Sequence, residues 1–588
     1  MDAVTTTLVA VKATGTVIEH DAETAAVAAF LISLASTTIS LWNSFIDLVR
    51  RVPGGAFVID YIKASHKNDP WRTLFEALLA LVALFYFFSA KYSQDDKYKI
   101  ELTKKEKAEL IAEWEPEPLV PELINAERWL LDSIPRIKGS VCSHSNVIDP
   151  KTGKVVENVL NFTTRDFLDM SNNEIVKADA ISKIREVGVG ACGPPNFYGT
   201  QDSHVRVCED LARFLGAEKG IIYGQDFCTA TSVLPCFLKR GDIVVVDGGV
   251  SLTLQKAVLI SRCSVEWYNH NDLDHLERIL ASLKEDLDEG PIVRRFIVTE
   301  GLFENFGDSP DLNRIVELKN KFKFRLILDE THSIGVLGKN GRGLPEACGV
   351  SRDDVEITMG SLALSFGASG GFCVGCHDMI YHQILSSNAY VFSAALPPYC
   401  AKAASASIKL IENGEKLGEA ESKNTIVDKL HSNISIVYKN LENSKKLKNL
   451  VSIKSKFYSP SIHIRINPEL RKELVLPEGY GGPGSKIQNA FKLGHEEDYF
   501  DENYNTECYL LQKIIDKAFE SKILLTRSKR ILHHELLPTV PELIISITSA
   551  FNNEELEYSS KVIIDSIFSI LNGITAEKFD DLADELAF

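Results

Sequence analysis

The sequence predicts an α/β fold with a mostly parallel sheet, followed by a smaller α+β domain and preceded by an apolar helical segment. Three observations carry this reading. Short apolar runs without polar alternation occur at Gly220–Tyr223, Asp242–Asp247, Arg295–Glu300, Phe324–Asp329 and Gly371–Gly375, as expected for strands buried on both faces. Helical stretches lie among them, including Asp202–Leu215, Leu273–Leu283 and Leu312–Lys321. The first ninety residues hold two long apolar segments of another texture.

The first segment, Thr24–Ile46, is uncharged and rich in Ala, Ser and Thr; it either spans a bilayer or lies in the interface. The second, Thr73–Ala90, is denser in Leu and Phe and is the better span, against the rule of about 20 apolar residues. Asp2 stands where a signal peptide carries basic residues, so neither segment reads as one. Lysines and arginines flank both ends of the second, leaving topology open. Residues 1–95 are therefore read as a membrane anchor. Residues 96–154 read as a connector, where Thr103 caps a short charged helix and prolines 116, 118 and 121 end it.

The large domain is placed at 155–405 and the small one at 406–588. The small domain is expected to hold a helical stretch over Ala401–Leu441, an alternating strand at Ser459–Ile466, a strand at Glu542–Thr548 and a closing helix at Asn553–Leu571. Inside it, residues 477–506 are rich in Gly and Pro, then acidic, and read as a mobile insertion.

Composition narrows the function. The 588 residues carry a formal net charge of −17, which argues against nucleic acid as a partner. Eleven cysteines argue against a disulfide framework and for a reducing compartment. Gly188–Gly193 spells G-x-G-x-x-G, but a helix-like stretch precedes it and two prolines follow, so it reads as a tight loop and not a dinucleotide fingerprint. Cys373 and Cys376 have C-x-x-C spacing without a second pair and read as buried small apolar groups. The sequons at Asn161 and Asn433 are expected to be unused. Asp329-Glu330-Thr331-His332-Ser333 ends a predicted strand, where ligands of such sheets bind.

Several segments resemble the α-oxoamine synthases, fold-type I transferases that use pyridoxal phosphate. They are LDETHSIGVLGKNGRG (Leu328–Gly343), IVTEGLFENFGD (Ile297–Asp308) and GSLALSFGASGGF (Gly360–Phe372). Within that family, DPWRTLFEALLALVALFYFF, EKAELIAEWEPEPLVP, GVGACGPPNFYGTQD, GDIVVVDGGVSL and FSAALPP resemble the first long-chain-base subunits of serine palmitoyltransferases. The resemblance implies an acyltransferase acting as one subunit of a heteromer that condenses L-serine with palmitoyl-CoA to 3-ketodihydrosphingosine. It also implies departures from an active site. Leu364 takes the place of the lysine that holds the cofactor, and a leucine has no amine for a Schiff base. Ser251 replaces the histidine that stacks on the pyridine ring, whereas Asp329 and His332 keep the positions of the pyridinium partner and its neighbour. Cys192 and Tyr198 are implied to face a partner's site, Ser393 to donate to the partner's cofactor phosphate, and Arg527 to lie near the substrate carboxylate.

The implied partner is a lysine-bearing second long-chain-base subunit, which would hold the pyridoxal 5'-phosphate. Membrane lipid, small regulatory membrane subunits and an endoplasmic reticulum membrane with the body in the cytosol complete the expectation. The alternative is a catalytically inert membrane scaffold that binds the catalytic subunit.

Overall fold

The computed structural model describes residues 40, 43–44, 46–88, 102–115, 124–413, 425–494 and 499–587. The chain divides into two units, 1–119 and 120–588. In the first, α1 (Gly55–Asn68) is followed by α2 (Pro70–Phe88), with Pro70 at the first helical position. α2 is long and apolar enough to cross a membrane. Its Trp71, Phe75, Leu78, Leu81, Phe85 and Phe88 are all exposed within the chain. The expected segment 24–46 lies almost wholly outside the described residues, as do the three connector prolines. α3 (Lys104–Glu113) starts as expected: Thr103 Oγ1 accepts from the Glu106 amide, and the Glu106 carboxylate accepts from the Thr103 amide.

The second unit opens with strands β1 (Arg136–Lys138), β2 (His144–Ile148) and β3 (Val155–Asn161), then helices α4 (Glu174–Val187) and α5 (Asp202–Leu215). Next come β4 (Lys219–Tyr223), α6 (Phe227–Phe237), β5 (Ile243–Asp247), α7 (Leu252–Ser261), β6 (Ser264–Tyr268) and α8 (Leu273–Glu289). The alternation continues through β7 (Arg295–Glu300), α9 (Leu312–Phe322), β8 (Arg325–Asp329), β9 (Ile357–Ser361) and β10 (Gly371–Gly375). Seven of these strands form one sheet in the order β4-β10-β9-β8-β7-β5-β6. β5, β6, β7, β8 and β9 pair in parallel, and β10 runs antiparallel to both β9 and β4. The short 362–370 link explains β10, because a parallel return needs a crossover of about a dozen residues or more. The absence of alternation also finds its cause. Val245, Ile297, Leu326 and Leu328 join the apolar cluster on one face, and Val244, Val246, Phe296, Val298 and Ile327 join the cluster on the other.

The rest of the chain supplies α10 (Pro398–Asn413), α11 (Ile426–Glu442), β11 (Val451–Ile453), β12 (Ser461–Ile466), α12 (Lys486–Leu493), α13 (Glu502–Phe519), β13 (Ile523–Leu524), β14 (Thr526–Arg527), β15 (Leu543–Ser546) and α14 (Asn553–Leu571). An antiparallel sheet, β11-β12-β15-β14, matches the α+β expectation. One boundary differs from the sequence reading. The connector does not extend to residue 154, because β1 and β2 lie inside it, β1 pairing with β2 and β2 with β3. β13 pairs in parallel with β3, so a third sheet joins residues on both sides of the large domain. Backbone hydrogen bonding across such sequence distance leaves no local signal. The 477–506 insertion is also partly packed: Tyr480 and Ile487 are buried with Leu532, and the Tyr480 hydroxyl donates to Glu507 at 2.8 Å.

Candidate active site

A cavity of about 260 Å3 opens at the carboxyl ends of the parallel strands. Glu300 ends β7 and Asp329 ends β8, and the two are opposed in register. Ser251, just after β5, is 5% exposed and starts α7 without capping it through its hydroxyl. Its amide donates to Glu300 at 2.6 Å, and the Glu304 amide donates to the other Glu300 oxygen at 2.9 Å. Asp329 accepts from the Thr331 amide at 2.9 Å. Leu364, beyond β9, and His332, beyond β8, complete the wall with Asp226 at the start of α6.

The electrostatics of this cavity are acidic. Burial pushes Glu300 up, and the charge of Asp329 adds to it. Burial also pushes Asp329 up, with the charges of Asp226 and Glu304 adding against the hydrogen bond from Thr331. Burial pulls His332 down to about 4, so its imidazole is neutral at pH 7. Burial works to raise Glu304, but the Arg165 guanidinium 2.7 Å away holds it down to about 2. The cavity's arginine is thereby committed to an internal carboxylate.

The sequence-predicted residues separate into three places. Asp329, His332, Ser251 and Leu364 meet in this cavity. Cys192, Tyr198 and Ser393 do not line it. They lie on two exposed segments joined by a hydrogen bond from the Ala395 amide to the Gly193 carbonyl at 2.9 Å. The Gly-rich loop is as tight as expected. A Cβ on Gly193 would lie 2.3 Å from the Tyr198 ring, and one on Gly199 would lie 1.9 Å from the Gly193 carbonyl oxygen. Arg527 is a correction: it lies on β14 over the Trp129 ring and lines a different cavity, so the site does not contain it. Cys373 is buried as expected, but Cys376 is exposed as the cap of a helix. Asn161 and Asn433 are fully buried in hydrogen bonds to main-chain carbonyls, a placement that keeps glycans off both in the folded chain.

Asp226, Arg165, Glu300 and Glu304 were not singled out from the sequence. Glu300 was within reach, because an acid ending a doubly buried strand faces the ligand crevice. Asp226, just beyond the Gly220–Tyr223 strand, carried the same signal, whereas Arg165 carried none, since only the folded chain brings its loop to this crevice.

The residues present do not fit pyridoxal phosphate as a cofactor of this chain alone. No lysine lines the cavity among the described residues, and Leu364 stands in the wall. The N-terminus of α6 would suit a phosphate, but Asp226 is the residue at its cap, and its carboxylate, which takes the Ser361 hydroxyl at 2.7 Å, lines the same cavity. A phosphate dianion would meet a carboxylate where it needs donors.

Fold and crevice together define a class: a fold-type I transferase chain of the α-oxoamine synthase type. The chain belongs to the aminotransferase class I and II family, whose family model matches residues 157–463. It is similar to Serine palmitoyltransferase 1 of Saccharomyces cerevisiae, at 37% identity over 546 residues, covering 91% of this chain and 96% of that protein. It is similar to Serine palmitoyltransferase 1 of Dictyostelium discoideum at 35% identity, covering 79% and 87%. Long chain base biosynthesis protein 1 of Arabidopsis thaliana is 32% identical, covering 72% and 84%. Among solved structures, a serine palmitoyltransferase of S. paucimobilis with a bound PLP–myriocin aldimine superposes with a TM-score of 0.60 at 17% identity, covering 76% of this chain and 96% of that one. The Sphingomonas wittichii serine palmitoyltransferase gives 0.58 at 18% identity, covering 76% and 97%. These likenesses confirm the fold.

Proposed function

We propose that this chain is the lysine-lacking subunit of a heteromeric serine palmitoyltransferase, required for condensing L-serine with palmitoyl-CoA to 3-ketodihydrosphingosine, the first step of sphingolipid synthesis. The observation that carries the reading is the cavity wall: Leu364 in place of an amine, and a carboxylate where a phosphate would sit. The names of the curated relatives support the reaction class. On this reading a homologous second subunit supplies the lysine and holds the pyridoxal 5'-phosphate covalently. That cofactor, when bound, supplies the electron sink for carbanion chemistry on the amino acid. This chain supplies an anchor in the endoplasmic reticulum membrane, half of a subunit interface, and the exposed groups Cys192, Tyr198 and Ser393 toward the partner's site. A hydroxyl such as that of Ser393 suits a phosphate as a neutral donor. Small regulatory membrane subunits would meet the first unit.

Co-expression with a lysine-bearing homologue tests the reading. The expected result is a 1:1 complex with condensation activity, and neither cofactor absorbance nor activity for this chain alone. Activity of the chain purified alone would overturn it. The acid-rich cavity also favours a second reading, an inert membrane scaffold. Cys192→Trp and Ser393→Ala in the assembled complex separate the two: reduced turnover supports a contribution to the partner's site, and unchanged turnover with assembly intact supports the scaffold.

A further inference from the structure

A second cavity, of about 580 Å3, shares no lining residue with the first. That volume lies within the range of small-molecule sites. It is bounded by β1, β3, β13 and α13, which supply the apolar side chains Ile137, Val156, Leu524, Ile515 and Phe519. Ile515 and Phe519 stand one helical turn apart and so present one continuous face.

The cations around this cavity are not equivalent. Lys151 is paired with Asp516 at 2.7 Å, and Lys522 donates to the Glu157 carbonyl at 3.3 Å. Arg527 is 6% exposed, forms no ion pair among the described residues, and has a buried Nε without a hydrogen-bond partner. The Trp129 ring lies 4.7 Å from its guanidinium, within cation–π range. Trp129 is itself held, donating from Nε1 to Asn505 at 3.2 Å and meeting the Tyr509 ring edge-on. Lys529, two residues on, also has no carboxylate partner among the described residues. Burial and the Arg527 charge pull its amine down. A buried guanidinium without a counter-charge is costly. One that is also fixed by an aromatic face is preorganised for an anion.

We infer that this cavity binds a single-chain anionic amphiphile, with its alkyl chain against Ile137, Ile515 and Phe519 and its anionic head on Arg527 and Lys529. A long-chain carboxylate and an alkyl phosphate share this chemistry. The inference is independent of the catalytic reading, because none of these residues lines the first cavity.

The test uses the full chain in phosphatidylcholine nanodiscs with a photoactivatable hexadecanoate, then peptide mapping. The expected label falls on residues 512–525 and is displaced by unlabelled hexadecanoate or hexadecyl phosphate but not by hexadecanol. Displacement by one of the two anions alone also supports the inference and identifies the head group. Arg527→Gln and Lys529→Gln are each expected to lower labelling roughly tenfold, the size of one lost charge-assisted hydrogen bond. Lys529 keeps part of its side chain open to solvent, so its variant carries the test if Arg527→Gln fails to fold. Unchanged labelling in a folded Lys529→Gln chain, equal displacement by hexadecanol, or label confined to Pro70–Phe88 would each overturn it.

Discussion

Glu330 and Asp329 are neighbours in sequence with different work. Asp329 faces the cavity, whereas Glu330 is fully buried and takes hydrogen bonds from Arg352 Nη1 at 2.5 Å, the Leu344 amide at 2.6 Å and the Ser333 hydroxyl at 3.2 Å. Glu330→Ala leaves a buried guanidinium without its partner. Denaturant unfolding should therefore show a loss of about 3–5 kcal/mol, and Glu330→Gln should lose less because it keeps a hydrogen-bond acceptor. Leu364→Lys tests the cavity from the other side. It restores an amine but leaves the Asp226 carboxylate at the start of α6, so the variant purified alone should still show no cofactor absorbance after incubation with pyridoxal phosphate. Appearance of that absorbance in the single variant would remove Asp226 as an obstacle. The motif and its register with Gly360 were readable from the sequence, but the division of labour between two adjacent acids depended on which way each side chain turns.

At the scale of elements, His270 joins the end of β5 to the loop that follows β7. Its Nδ1 lies 2.8 Å from Asp247 and its Nε2 lies 3.1 Å from Asp308, while Phe306 stacks on the ring at 4.0 Å. Burial opposes its charge, yet the hydrogen bonds to the two carboxylates raise it to about 9. The folded value lies above the unfolded value of about 6.5. The stabilisation is thus fully present below about pH 6.5 and is lost as pH rises through 9, up to roughly 3 kcal/mol. Urea unfolding at intervals across that window should show the decline, and His270→Asn should remove it. The Gly-rich loop makes a second element-scale prediction. Gly199→Ala drives a methyl onto the Gly193 main-chain carbonyl, so the loop must re-form. Thermal unfolding should fall by about 1–3 kcal/mol, as for other overpacked sites. On the reading that this loop faces the partner, the 1:1 complex should weaken in the same variant, which pull-down titration measures.

The whole molecule consists of two units with different surfaces. Residues 120–588 contain the apolar clusters of the body, whereas α2 in the first unit leaves its large apolar side chains exposed. Apolar surface of that extent is covered by lipid or protein. A chain trimmed to residues 120–588 should therefore unfold at an unchanged midpoint and remain in the supernatant after alkaline extraction of membranes. The full chain should sediment with them. Extraction of the full chain into the supernatant would contradict the membrane reading of α2.

The sequence by itself determined five doubly buried strands and helices among them, the long apolar helix at Pro70–Phe88, and the strands at 459–466 and 542–548 of the closing sheet. Each of these is a local pattern, a run of Val and Ile, a period or a motif, and local backbone physics suffices to express it. Only the tertiary structure decided that β13 completes a sheet with β3, that Arg527 leaves the crevice for Trp129, and that Asp226, Glu300, Glu304 and Asp329 crowd one cavity. These are consequences of distant segments packing together, where burial, charge and hydrogen bonding are set by neighbours that no short stretch of sequence contains.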